Sequence, residues 1–117
     1  MNDVARQRML RLIGLGVRAR GAVVGVQQVR QAAKKGDLAF AVIAPDVSQH
    51  SLDKLVPLLR ARGIRFADAV SAAELGAAVG RESTAAVGIV DRQLAKGIRD
   101  IVESGDSGVA EPDRRSV

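Results

Sequence analysis

GVQQVRQAAKKGDLAFAVIAPDVS, residues 25–48, is the stretch that decides the fold. It opens on Gly25 and runs as a helix to about Lys35, with Val26, Val29 and Ala33 on the inward side at helical spacing. Gly36 closes that helix. LAFAVIA, residues 38–44, then follows between Asp37 and Pro45 as an unbroken apolar run. Such a run reads as a central strand covered on both faces. A helix feeding a doubly buried strand is the repeating unit of an α/β protein.

The flanking sequence repeats this alternation. Residues 3–19 read as a helix, because Met9, Leu12, Ile13 and Val17 fall on one stripe. Asp3 is its expected cap and Gly21 its expected end. Ala22 to Val24 form a short strand. Residues 49–62 read as a helix with Leu52, Leu55, Val56 and Leu59 on one face and Ser48 as cap. Pro57 inside it predicts a kink or a shifted start, and Gly63 ends it. Arg65 to Val70 is the next strand. Ser71 and Glu74 have the spacing of a capping box for a helix that stops at Gly80. Ala85 to Val90 is the last strand, and Asp91 caps a final helix with Leu94, Ile98, Ile101 and Val102. The whole reads as a three-layer α/β/α sandwich on a small, mostly four-stranded mixed sheet. Residues 1–103 form one domain, and residues 104–117, SGDSGVAEPDRRSV, read as a flexible tail.

Composition removes several function classes. There is no cysteine, so Cys-ligated metal and thiol chemistry are excluded. His50 is the single histidine, too few for a His-based metal site or a Ser-His-Asp triad. No cofactor, no metal and no catalytic residue is expected. The N-terminus lacks the apolar core of a secretory signal, and no apolar run approaches the length of a membrane span. A cytoplasmic monomer is the expectation. Lysine and arginine number 18 against 13 aspartates and glutamates, a net charge of +5. That balance favours a polyanionic partner.

The placement of charge is more informative than its sum. On the helix after Gly25, Gln27, Arg30, Gln31 and Lys34 recur at outward positions without a carboxylate. Amides offer a donor and an acceptor to base edges, and cations neutralise phosphates. The helix start at Gly25 presents open N–H groups and a partial positive charge. Gly25 has no side chain, so a nucleic-acid backbone can come close. A plain solvated helix face fits the same residues.

Several segments together, over roughly residues 6–102, resemble the ribosomal protein family of L7Ae/L30e type, and within it the bacterial YlxQ-like members. They are LRLIGLGVRARGAVVG, the quoted 25–48 stretch, LVPLLRARGIRF, SAAELGAAVGR and the final strand, in family order. The resemblance implies an α/β/α sandwich that binds structured RNA without catalysis. The implied target is a kink-turn, a sharply bent helix with tandem sheared G·A pairs, or ribosomal RNA, with the ribosome as a partner. The family motif opens with a glycine, matched here by Gly25. Its Asn-Glu pair falls on Gln27 and Gln28, and its lysine on Gln31. Gln28 can accept a bond from guanine without charge assistance, and Gln31 supplies no cation, a task left to Arg30 or Lys34. The loop that closes over an unstacked nucleotide falls, by resemblance, on Val70, Ser71 and Ala72. The alternative is a protein–protein interaction module on the same fold, with its surface away from the second helix.

Other features read as structural. Gly14 and Gly16 suit close helix packing better than a nucleotide loop, since no strand precedes them. His50 reads as a surface histidine and Asp46 as a turn or capping residue. Arg60, Arg62 and Arg65 form a second basic cluster, and Arg18 with Arg20 lies close in sequence to Gly25.

Overall fold

The computed structural model describes residues 2–105. The chain alternates helix and strand: α1 (Asp3–Arg18), β1 (Ala22–Val24), α2 (Val26–Lys35), β2 (Phe40–Ile43), α3 (Gln49–Ala61), β3 (Phe66–Ala67), α4 (Ala72–Ala78), β4 (Ala86–Ile89) and α5 (Arg92–Gly105). The sheet has four strands in the order β1-β4-β2-β3. β4 runs antiparallel to β1 and β2, and β2 is parallel to β3. β1, β2 and β3 therefore end at one edge of the sheet, where β4 begins.

Strand alternation divides the core into two layers. Phe40, Val42, Val87 and Ile89 turn to one face and pack with Met9, Ile13, Leu75 and Ile98 from α1, α4 and α5. Ala41, Ile43 and Ala86 turn to the other and pack with Val29, Ala33, Leu55 and Leu59 from α2 and α3. The architecture is the three-layer α/β/α sandwich with a mixed sheet. Every residue of β2 and of β4 is buried, as the apolar run 38–44 implies. β2 is shorter than that run, but the pairing continues past it, with Ala39 N–H on the Ile89 carbonyl at 2.8 Å and Ala44 N–H on the Ala85 carbonyl at 2.9 Å.

Helix ends differ from the sequence reading in three places. Asn2, not Asp3, caps α1: its side chain accepts the Ala5 N–H at 2.8 Å. The end of α1 is turned by Arg20 at φ 64°, not by Gly21. Arg20 N–H bonds the Val17 carbonyl and Gly21 N–H the Gly16 carbonyl, the paired bonds of a Schellman turn. Pro57 interrupts nothing: α3 runs unbroken through it, with the proline on the exposed side. Ser48 caps α3, Ser71 and Glu74 form the reciprocal capping box, and Asp91 accepts the Leu94 N–H. β3 covers only Phe66–Ala67 of the expected 65–70. It is an edge strand with a single neighbour, and the chain leaves it at Asp68 to bring Val70 into the core.

Two glycines set helix spacing. A Cβ on Gly14 would lie 2.6 Å from the Ala78 carbonyl oxygen, and one on Gly16 would lie 2.2 Å from the Leu94 side chain. Close packing of α1 on α4 and α5 accounts for both. The expected tail from Ser104 lies outside the described residues except for Ser104 and Gly105, which belong to α5. No described helix is long and apolar enough to cross a membrane.

Candidate nucleic-acid interface

The edge where β1, β2 and β3 end carries the start of α2 and the start of α4. Gly25 makes the turn into α2 at φ 104° and ψ 154°, a conformation almost confined to glycine. No side chain caps this first turn, so its leading N–H groups remain open. A hydrogen-bonded chain ties it to α4. Gly25 N–H donates to the Ala86 carbonyl at 2.8 Å, and Thr84 N–H donates to the Ala72 carbonyl at 3.1 Å. The Thr84 hydroxyl donates to the same Ala86 carbonyl at 3.4 Å. Asp46, beyond β2, accepts the Ala72 N–H at 2.8 Å. Gly25 and the 70–72 loop are thus fixed on one edge by residues 84–86, and Asp46 has a positioning role.

The predicted site residues separate into three groups. Gln27, Gln28, Gln31 and Lys34 are exposed along α2. Arg30 is half-buried and leans away: its guanidinium donates to the Lys54 carbonyl of α3 at 2.7 Å. Pro57 has no N–H, so the Asp53 carbonyl lacks its usual partner in α3. Arg30 engages the carbonyl one residue on. Val70 is 2% exposed and packs in the core; it supports the loop from beneath. Ser71 and Ala72 are half-buried above it, and the Ser71 hydroxyl is taken up by the capping box.

The wheel of α2 explains the split. At about 100° per residue, Gln27, Gln31 and Lys34 point straight out. Arg30 falls on the flank toward α3, and Gln28 and Lys35 on the flank toward β1. There Gln28, Gln31 and Lys35 line a depression of about 490 Å³ with Val23, Asp37, Val90 and Arg92. Lys35, which flanks the outward face in the sequence, follows Gln28 and Gln31 at helical spacing, whereas no sequence pattern points to Arg92. A second hollow, about 340 Å³, lies between α3 and β3 and is lined by Pro45, Leu52, Val56, Arg60, Phe66 and Asp68. Its residues come from three separate segments; helical spacing connects Leu52, Val56 and Arg60, but no local pattern joins them to the other two.

The other basic residues scatter. Arg62 donates to the Ala33 and Lys34 carbonyls at 3.3 and 3.0 Å, closing the end of α2. Arg65 pairs with Glu103 at 3.3 Å, and Arg60 lines the second hollow. They form no common surface. Arg18 sits on α1 in the other helical layer, and Arg20 precedes β1, at the far end of that strand from Gly25. His50 is exposed on α3. Among the described residues no cluster of three or more acidic or histidine side chains could hold a metal.

An uncapped helix start followed by exposed amides lies at one end of the sheet, and Lys34 and Lys35 lie at the other end of the same helix. Residues 7–102 match the model of the ribosomal protein L7Ae/L30e/S12e/Gadd45 family, and the chain belongs to that family. Its members are structural RNA-binding proteins rather than enzymes. A comparison with curated protein sequences finds no match. Among solved structures, the chain is similar to a protein of unknown function from Bacillus halodurans C, at 24% identity and a TM-score of 0.76, over 81% of this chain and 96% of that one. It is also similar to the Giardia lamblia 15.5kD RNA binding protein, at 18% identity and a TM-score of 0.73, over 92% of each chain. Both likenesses bear on the fold.

Proposed function

We propose that this chain is a cytoplasmic, monomeric, non-catalytic RNA-binding protein whose target is a kink-turn in ribosomal or other folded RNA. Membership of the family supports RNA as the partner, as does the similar fold of a Giardia lamblia protein described as RNA-binding. The carrying observation is the hydrogen-bonded chain from Gly25 through Ala86 and Thr84 to Ala72. It holds an uncapped helix start and a second helix start side by side. The open N–H groups of α2 receive a phosphate. Gln27, Gln28 and Gln31 meet exposed base edges through their amides. Lys34 neutralises a phosphate further along. An unstacked base enters the hollow between α3 and β3, where the Phe66 ring and the Leu52 and Val56 side chains give it an apolar floor. Ribosome association and a place among the YlxQ-like members belong to the same reading.

Gel-shift titrations test it. The probes are a kink-turn RNA, the same RNA with its G·A pairs replaced, and a plain duplex, each at several salt concentrations. The expected order is strong, weak and weak. Lys34→Glu should weaken kink-turn binding and lower the salt slope by about one, with no change in thermal midpoint. Equal weak binding of all three RNAs makes the surface a nonspecific cation and refutes the kink-turn target. Absence of binding at low salt refutes the RNA reading itself.

A further inference from the structure

The outer face of α1 lies in the opposite layer from α2 and has no part in the site above. Among the described residues, the large apolar side chains most open to solvent are Val4, 69% exposed, and Leu15, 48% exposed. Both are on α1 and on one stripe. Val4, Arg8, Arg11, Leu15 and Arg18 follow each other in alternating steps of four and three residues. That is heptad spacing, filled here by two apolar residues and three arginines on one side of the helix. The inner face of α1, with Met9 and Ile13, already anchors the helix in the core, so the stripe is surplus to folding.

The stripe is electrically uniform. Arg6 is engaged by Asp3 and by Glu74, the latter at 3.5 Å. Arg8, Arg11 and Arg18 are exposed and make no ion pair among the described residues. Beside the stripe, α1 and α4 enclose a hollow of about 450 Å³ floored by Leu10, Gly14, Ala77 and Ala78 and rimmed by Arg11, Arg18 and Glu74, whose carboxylate is already paired with Arg6. Small side chains on that floor leave room for side chains from outside.

We propose that this face docks an acidic amphipathic helix of a protein partner. Its apolar side chains would cover Leu15 and enter the hollow beside Ala77, and its carboxylates would meet Arg8, Arg11 and Arg18. Arginine suits this task because its fork binds a carboxylate through two parallel bonds. Arg11 and Arg18 stand two turns apart, about 10 Å along the axis, so acidic residues seven apart on the partner reach both. A second copy of this chain is disfavoured, since the same arginines would face each other across a two-fold axis. A phosphate backbone would meet the arginines and leave Val4 and Leu15 in water, so the interleaving favours a helix over nucleic acid.

The test is a titration of the ¹⁵N-labelled full chain with a helical peptide of about three heptads, leucine on its seam and glutamate beside it. A second peptide carries lysine for each glutamate. The glutamate peptide should move the amide resonances of Leu15 and Ala77, and the lysine peptide should not. Arg11→Glu with Arg18→Glu should weaken the glutamate peptide about tenfold or more, with an unchanged thermal midpoint and unchanged Gln27 and Lys34 resonances. Arg11→Gln with Arg18→Gln should give a smaller loss in the same direction. Equal binding of the two peptides, shifts centred away from α1, no shifts, or displacement of the peptide by an equal concentration of duplex RNA each overturns the proposal. Kink-turn binding is read separately, so either surface can fail alone.

Discussion

Replacing Gly25 by alanine probes the point where backbone geometry and binding meet. Gly25 holds φ 104° and ψ 154°, which an L-residue adopts only under strain of about 1–3 kcal/mol. A Cβ there would meet nothing within 4 Å, so no packing clash adds to that figure. Alanine also restricts the unfolded chain, which offsets roughly 0.4–1 kcal/mol. The net loss is about 1–2 kcal/mol, or about 5–10 °C in Tm for a domain of this size. Urea unfolding of both proteins measures the first quantity and thermal unfolding the second. RNA affinity is then measured at a temperature where the variant is fully folded. Because the added methyl projects into open space at the proposed contact, kink-turn affinity should fall by about tenfold or more, beyond anything unfolding explains. A variant as stable as the wild type refutes the conformational account. A destabilised variant with full RNA affinity refutes the close approach of RNA to this turn.

Three further outcomes follow from the geometry. Gly76→Ala would set a Cβ 2.3 Å from the Ser83 Cα, so the 81–84 segment must shift, with a loss of about 1–3 kcal/mol in urea unfolding and weaker RNA binding as Thr84 releases Ala72. Arg30→Ala removes the bond to the Lys54 carbonyl and should lower stability by about 1 kcal/mol or more; an unchanged urea midpoint would return Arg30 to the free surface. Arg20→Gly relieves a left-handed residue at φ 64° and should raise stability by up to about 1 kcal/mol, read as a higher thermal midpoint.

The layers of the fold were legible because two periodicities carry them. The LAFAVIA run has no polar break, so its burial on both faces followed from composition alone. Helix starts were nearly as plain where Ser48, Ser71 and Asp91 stand one turn before an apolar stripe. The ends that misled are those decided by tertiary contact. Arg20 takes a left-handed turn that glycine normally fills, because Gly21 and the Gly16 carbonyl beside it complete the turn. The strand expected at 65–70 stops at Ala67 because only β2 is there to pair with it. The exposed run of Gln27, Gln31 and Lys34 was readable from helical spacing. The diversion of Arg30 was not, since its partner is a backbone carbonyl 24 residues away. Val70 looked like part of a contact loop and is a core residue instead. A valine beside a serine cap fits either place until the neighbouring helix is known.

The sheet order has a bearing on how the protein is made. β4 is the last strand synthesised, yet it lies between β1 and β2. A growing chain therefore delivers both flanks of the sheet first and waits for its middle. At roughly 5–20 residues per second, β1 remains without a neighbour for on the order of seconds. During that interval the apolar strand Phe40–Ile43 has β3 on one side and a bare edge on the other, the form most apt to pair with a stray strand. Ala86–Ile89 closes that gap in a single step, so a chain cut before this segment would lose the core of both layers at once.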